Sequence, residues 1–345
     1  MTSESEILKL VENSIITVNH VFKTAPVCLY MESENDTVPV FSFGNISTLI
    51  APPKVGKTTF IALVVTALLS IMKILNFRPA IPNDKRYILW FDTEQGKPEC
   101  VKIMKLICKI LGDENKHPEN LIYLSIREYN KDLRKKIIDT AINYYQNLGF
   151  VIIDGIRDLV SSINDEREAT EIADLLLKWT ETKSIHILNV LHQNKGDANA
   201  RGHIGTELIN KSETVIALQK LFEGGIRSTI VEPKYTRHKE FVPFSYTLDG
   251  YIPEFTECKF DAASENISID KLSEAQLIAI TKFIFSKDKH LRYEQLVTLT
   301  KTALSEIYNV SFGTNKIKDL LKDRLKGSYI YNDENLKIWK PNFPV

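Results

Sequence analysis

The chain has 345 residues with 44 Lys and Arg against 44 Asp and Glu, so its length indicates about two domains and its charge balance excludes a polybasic protein. Any anionic partner must be held by local patches. At 43% hydrophobic and 26% charged residues the composition is that of a globular protein, which excludes disordered, collagenous and low-complexity chains.

The four cysteines, Cys28, Cys100, Cys108 and Cys258, contain no CxxC pair and have no histidine at ligand spacing. Neither a disulfide framework nor a zinc site is expected, and a reducing cytoplasm is the natural setting. The opening MTSESEILKLVENS is acidic and lacks the apolar run of a signal peptide.

Residues 1–44 form a lead-in segment, with a helical pattern over Ile7 to Val21 and extended runs at Val27 to Met31 and Val38 to Phe43. From Asn45 onward, β-branched and aromatic runs alternate with helical patterns, the signature of a parallel sheet with crossover helices. The strands expected are Ile46 to Ile50, Tyr87 to Asp92, Ile122 to Ser125, Phe150 to Asp154, Ile185 to Leu191, Thr214 to Leu218, Ser228 to Glu232 and Phe244 to Leu248. Helices are expected to begin near Lys57, Pro98, Lys131 and Glu166. The apolar window Phe60 to Leu75 is about 16 residues long and carries Thr66, Ser70 and Lys73, so it falls short of the roughly 20 residues that span a bilayer and reads as a buried helix. The core is placed at 45–256, a polar linker at 257–270 and a second domain at 271–345. That domain reads as helices at Ser273 to Phe285, Tyr293 to Leu304 and Thr314 to Lys326, then strands Tyr329 to Tyr331 and Leu336 to Trp339, a winged-helix layout.

The strongest motif is Ala51-Pro52-Pro53-Lys54-Val55-Gly56-Lys57-Thr58, set between an apolar strand and an apolar helix. It fits the phosphate-binding pattern GxxxxGK[ST] except that alanine stands in the first position. Pro53, Lys54, Val55, Gly56, Lys57, Thr58 and Thr59 are expected to hold ATP. The free N–H groups of the helix start attract phosphate, Lys57 reaches the outer phosphates and Thr58 ligates Mg²⁺. Asp154 ends an apolar strand and is the second Mg²⁺ residue, expected on a neighbouring strand. Glu94, after the strand ending in Asp92, is the expected base that orients the attacking water, on a strand beside the phosphate loop; Asp92 is second choice. Asp158 reads as structural or substrate-facing. Gln193 or His192, past another strand end, would sense the outer phosphate. The run Glu232-Pro233-Lys234-Tyr235-Thr236-Arg237-His238-Lys239 gathers cations at a strand end, where Lys234 and Arg237 could reach a neighbouring subunit's nucleotide.

Together APPKVGKTT, ILWFDTEQG, FVIIDGIRDLV, NVLHQNKG and ARGHIGTELINKSETVIAL resemble RecA-like ATPases of the hexameric helicase type, within the DnaB- and KaiC-like group, and particularly the plasmid-replication RepA helicases. The resemblance covers about residues 40–250. It implies an α/β RecA-like core with a mainly parallel sheet, ATP hydrolysis at the interfaces of a ring, a hexamer, and DNA in the channel. Carried over, it gives Lys57 and Thr58 to phosphate and metal, Glu94 to the base, Asp154 to the second metal residue and Gln193 to the sensor. The finger pair here is separated by two residues, where such helicases usually separate it by one. The glycine-rich stretch 195–205 resembles the channel loop, with Lys195 and Arg201 on the DNA backbone.

In the C-terminal domain Lys316, Lys318 and Lys322 stand with Arg324 and Lys326 on the third helix, where a recognition helix would contact DNA. The expected function is an ATP-driven DNA motor, a helicase for replication or mobilisation of a plasmid or other mobile element, with no membrane association. Two other readings fit the motifs: an ATPase that loads or regulates a replication or transposition complex through a partner protein, and a KaiC-like signalling ATPase indifferent to DNA.

Overall fold

The structure, a computed structural model, describes residues 3–19, 26–33, 36–70, 73–193, 202–223, 226–257, 269, 272, 274–286, 288–308, 312–333 and 336–342, without the side chains of 222–227, 257, 275 and 306–308. The chain divides into two compact units, 1–258 and 259–345.

In the first unit, helix α1 (Glu4–Ser14) is started by a capping box of Ser3 and Glu6 and buries none of its residues. It is shorter than the Ile7 to Val21 pattern suggests. Strands β1 (Val27–Glu32) and β2 (Thr37–Ser42) follow, then β3 (Ile46–Ala51), α2 (Lys57–Leu69), the short β4 (Phe77–Pro79) and β5 (Tyr87–Asp92). Next come α3 (Lys97–Ile110), β6 (Leu121–Ser125), α4 (Lys131–Tyr144), β7 (Leu148–Asp154), α5 (Glu166–Lys183), β8 (His186–His192) and α6 (Gly202–Lys211). The unit closes with β9 (Thr214–Glu223), β10 (Ile226–Thr236), β11 (Phe244–Asp249) and β12 (Ile252–Glu257).

These strands form a nine-stranded sheet in the order β12-β11-β10-β9-β3-β8-β7-β5-β6. From β9 to β6 every neighbour is parallel, while β9 through β12 are joined antiparallel. The late strands were expected to share the parallel pattern; no helix separates β9 through β12, and only a crossover allows parallel pairing. β1, β2 and β4 form a separate three-stranded antiparallel sheet.

The parallel strands are apolar at nearly every position because both faces are covered. Leu49, Ile88, Trp90, Phe150, Ile152, Leu188 and Val190 pack on the side of α2 and the small sheet. Their alternates Ile50, Leu89, Phe91, Val151, Ile153, Ile187 and Leu191 pack on the side of α4, α5 and α6. Helix α2 is buried from Phe60 through Leu68, so it is apolar all round rather than amphipathic. Among the described residues no helix is long and apolar enough to cross a membrane. Cys28, Cys100 and Cys108 are buried free thiols, and Cys258 lies outside the described residues.

The second unit contains α7 (Glu274–Ile284), α8 (Tyr293–Tyr308) and α9 (Thr314–Asp319), the last continuing into a π-helical turn over Leu320–Leu325. A hairpin of β13 (Ile330–Asp333) and β14 (Ile338–Pro341) follows, and Leu291 pairs with Trp339 of its second strand. Ile280, Ile284, Leu296, Leu304, Ile317, Leu321, Leu325 and Ile330 make its own core.

Phe60 is fully buried and packs edge-on against Phe77. Phe60→Ala should lower the unfolding free energy of this unit by about 3–5 kcal/mol in urea denaturation. Val101→Ala, at a position 53% exposed on α3, should change it by less than about 0.5 kcal/mol.

Candidate active site

The phosphate-loop residues link the end of β3 to the start of α2. Ala51 is the last residue of β3, fully buried and paired with His192 of β8, and its carbonyl accepts the Gln193 amide at 3.1 Å. Its extended backbone needs no glycine, which explains how alanine stands in the first motif position. The left-handed residues are Lys54 (φ 63°) and Gly56 (φ 104°). At Gly56 such a φ is strained for any side chain, so the glycine is required. The loop is clamped from β10, where the Thr229 hydroxyl donates to the Val55 carbonyl at 3.2 Å. Gly56 gives α2 no side-chain cap, and no acidic residue stands in its first turn. The leading amides and the helix dipole are therefore free to bind an anion.

Neither expected neighbour of β3 is in place. β8 lies beside β3, the Asp154 strand β7 comes next, and the Glu94 strand β5 is third. This strand order corrects the adjacency expected for both carboxylates. The gap is bridged by side chains. Lys57 Nζ meets His192 Nδ1 at 2.9 Å, and His192 Nε2 meets Glu94 Oε1 at 3.2 Å. Glu94 is held below the usual carboxylate range, mainly by the His192 hydrogen bond, with further attraction from Lys57. Burial lowers the Lys57 pKa, against the opposing attraction of Glu94 and Asp154.

Asp92 is a scaffold rather than a base. It is fully buried and accepts the Glu94 and Gln95 amides at 2.9 and 2.8 Å and the Tyr123 hydroxyl at 2.9 Å, with the Cys100 thiol at 3.8 Å. These bonds fix the turn that presents Glu94. Thr93 ties that turn to β7 by donating to the carbonyls of Asp154 and Gly155 and to Asp158 Oδ2. Gly155 leaves room for this: a Cβ there would sit 2.1 Å from Thr93 Oγ1. Gln95 Nε2 donates to Thr58 Oγ1 at 3.0 Å, linking the same turn to the phosphate loop. Gln95, Thr93 and Thr229 were not singled out by the sequence. Gln95 is adjacent to Glu94 and could have been noticed, whereas Thr229 is brought in only by sheet pairing.

Asp154 sits at the end of β7, 4% exposed, with Oδ2 lacking a hydrogen-bond partner. Burial, then repulsion from Asp92 and Glu94, pushes its pKa up to about 8, while Lys57 and the nearby Trp90 indole pull weakly the other way. A buried acceptor without a donor fits a divalent cation, and Mg²⁺ characteristically takes few carboxylates together with phosphate oxygens and water. Thr58 and Asp154 are the residues that would hold it. Among the described residues there is no cluster of three or more His, Cys, Asp and Glu that could hold a metal unaided.

Other expected site residues are dispersed. The Gln193 side chain is half-buried beside the loop. Lys195 and Arg201 lie outside the described residues, and α6 starts at Gly202, so the stretch expected as loop to residue 205 is already helical there. Lys234 is the bulge residue of β10, between Pro233 and Tyr235. Through β9, Thr236 is level with Ser47 at the start of β3. That places it four residues, roughly 13 Å, back from the end of β3 where the phosphate loop begins. Arg237 therefore sits at the opposite end of the sheet from its own phosphate loop, with Nη2 donating to the Lys211 carbonyl at 3.1 Å. His238 donates to the buried Glu213 at 2.7 Å and Lys239 pairs with Asp36, so both have structural partners. In the second unit Lys316, Lys318 and Lys322 are exposed, whereas Arg324 donates to the Leu272 carbonyl and Lys326 lies 5.9 Å from the Trp339 ring.

Residues 36–198 match the family model described as the AAA domain. This segment is an AAA-type ATPase core. It contains β2 through β8 and all of Lys57, Thr58, Glu94, Asp154 and His192, on a mainly parallel RecA-like sheet. No curated protein matches the chain. Solved structures similar to it include the RadB recombinase, at 15% identity and TM-score 0.46 over 64% of this chain and 94% of that one. Another is the ATPase domain of a helicase, at 12% identity and TM-score 0.46 over 62% of this chain and 84% of that one.

Folding lifts the Asp154 carboxyl of the AAA core from its ordinary 3.8 to about 8. Between those values the folded state holds a proton that the unfolded chain has lost, so this group makes stability fall as pH rises. Asp154→Asn should remove that fall and stabilise the nucleotide-free protein at pH 8 by on the order of 2 kcal/mol. Thermal denaturation across pH 4 to 9 measures the difference.

Proposed function

We propose that the protein is an ATP-hydrolysing DNA motor, a ring-forming helicase serving replication or mobilisation of a plasmid or other mobile element. The observation that carries the hydrolytic part is the meeting of four groups at one sheet edge: the uncapped start of α2 with Lys57 and Thr58, the unpartnered Asp154 oxygen, and Glu94 joined to Lys57 through His192. In this reading the α2 amides and Lys57 bind the phosphates, Thr58 and Asp154 hold Mg²⁺, and Glu94 takes the proton of the attacking water. Bound Mg²⁺ would neutralise phosphate charge. Gln193 senses the outer phosphate.

Assembly into a ring is supported by the placement of Lys234 and Arg237. Their end of β10 is too far from their own phosphate loop, so a nucleotide they serve belongs to a neighbouring subunit. The DNA part rests on the family resemblance and on exposed cations. Lys316, Lys318 and Lys322 lie on the third helix of a three-helix unit closed by a hairpin, which we read as a winged helix, and Lys195 and Arg201 would contact the backbone in the channel.

Steady-state ATP hydrolysis, measured without DNA and with single-stranded or duplex DNA, tests this function. Stimulation by single strands is expected of the helicase. Stimulation by duplex alone would favour an ATPase that loads or regulates a DNA complex. Lys57→Ala should reduce turnover by on the order of 100-fold or more. Glu94→Gln should lower kcat by about 10²–10⁴ while leaving nucleotide affinity within about threefold.

Arg237→Ala should be inactive alone, with a loss on the order of 10³. Mixed with Lys57→Ala, it should regain activity, because a mixed ring restores sites that have an intact loop facing an intact finger. Turnover of the two proteins, alone and mixed, is the measurement.

A further inference from the structure

The link between Lys57 and Glu94 runs through one imidazole, and its chemistry fixes the proton positions. The Lys57 ammonium has only donors, so His192 Nδ1, 2.9 Å away, must be the unprotonated acceptor. The ring then carries its proton on Nε2 and donates it to Glu94 Oε1 at 3.2 Å. A single neutral tautomer thus serves both neighbours. An imidazolium would set an N–H against the ammonium, and the other neutral tautomer would also set a lone pair against the carboxylate.

The fold places the ring where this is possible. His192 ends β8, the strand inserted between β3 and β7, and pairs with Ala51 at the foot of the phosphate loop. Its side chain is 38% exposed, so the surrounding core does not force the ring into this position. Glu94 comes from the other direction on a turn held by Asp92 and Thr93.

We infer that His192 is a positioning residue that locks the nucleotide-free site, holding Lys57 on Nδ1 and Glu94 on Nε2, so that phosphate binding to Lys57 releases the Glu94 carboxylate. The inference rests on the nucleotide-binding reading for its ligand. Phosphate seated on the α2 amides draws Lys57 Nζ toward itself. Nδ1 then loses the donor that fixed the tautomer, the proton is free to occupy either nitrogen, and Glu94 is no longer held as an acceptor. Phosphate occupancy and availability of the base become one event. Glu94 is then withheld from water while the site is empty.

The test uses the full chain with ¹⁵N-labelled histidine. Without ligand, long-range ¹H–¹⁵N spectra should show His192 with a pyridine-like Nδ1 and a protonated Nε2. Addition of ADP should remove that fixed pattern, and Lys57→Met should remove it with no ligand present. His192→Ala should bind ADP about threefold to tenfold more tightly, because Lys57 no longer has to leave an acceptor. A tautomer that is unchanged by ADP and by Lys57→Met, or ADP affinity that is unchanged or weaker in His192→Ala, would overturn the lock. If the wild-type protein binds no ADP, the nucleotide reading fails by itself. The ligand-free comparison of wild type with Lys57→Met then still decides whether Lys57 fixes the ring.

Discussion

A parallel sheet covered on both faces has only its strand ends open to chemistry, and this constraint governs the whole first unit. β3, β8, β7 and β5 are buried on both sides, so each can offer a polar group only where it emerges into a loop. Those loops all emerge at one edge because the strands are parallel. The separation of functional groups is then set by strand order, at about 4.8 Å per strand. With β8 and β7 between β3 and β5, Glu94 is some three strand spacings from the phosphate loop. His192 is the side chain that spans this distance.

The base turn is held mainly by the fully buried Asp92. Its carboxylate is spent on two amides, a phenol and a thiol, while Asp154, one strand over in β7, keeps a buried oxygen with no partner. Two aspartates in matching places on paired strands, Asp92 and Asp154, therefore have opposite roles. The satisfied one builds the site, and the unsatisfied one destabilises the empty protein and is available to a cation. Storing unfavourable electrostatics at a binding edge is a common consequence of preparing a site for a charged ligand.

The antiparallel half of the sheet contributes differently. Thr229 of β10 reaches the phosphate loop, while the far end of the same strand carries Lys234 and Arg237 to the opposite end of the sheet. One strand thus touches its own loop and presents cations away from it. Glu213 anchors that far end by accepting the Ser42 amide and His238.

Much of this was legible in the sequence. Runs such as Tyr87 to Asp92 and Phe150 to Asp154 determine strands because apolar residues at consecutive positions can be buried only in a sheet covered twice. Gly56-Lys57-Thr58 determines a phosphate-binding helix start because its chemistry is local to the backbone. The carboxyl ends carrying Glu94, Asp154 and His192 could likewise be read from where the apolar runs stop. Strand order could not, since it depends on which crossover packs beside which, and so adjacency to β3 was assigned wrongly. Whether Asp92 or Glu94 faces the site was decided by hydrogen bonds from Tyr123 and Cys100, distant in sequence. Ala51 reads as a defect in the motif until the pairing with His192 reveals it as a strand residue. Local chemistry was written in the residues, while the partners of each charge were fixed only when the sheet brought remote strand ends to one edge.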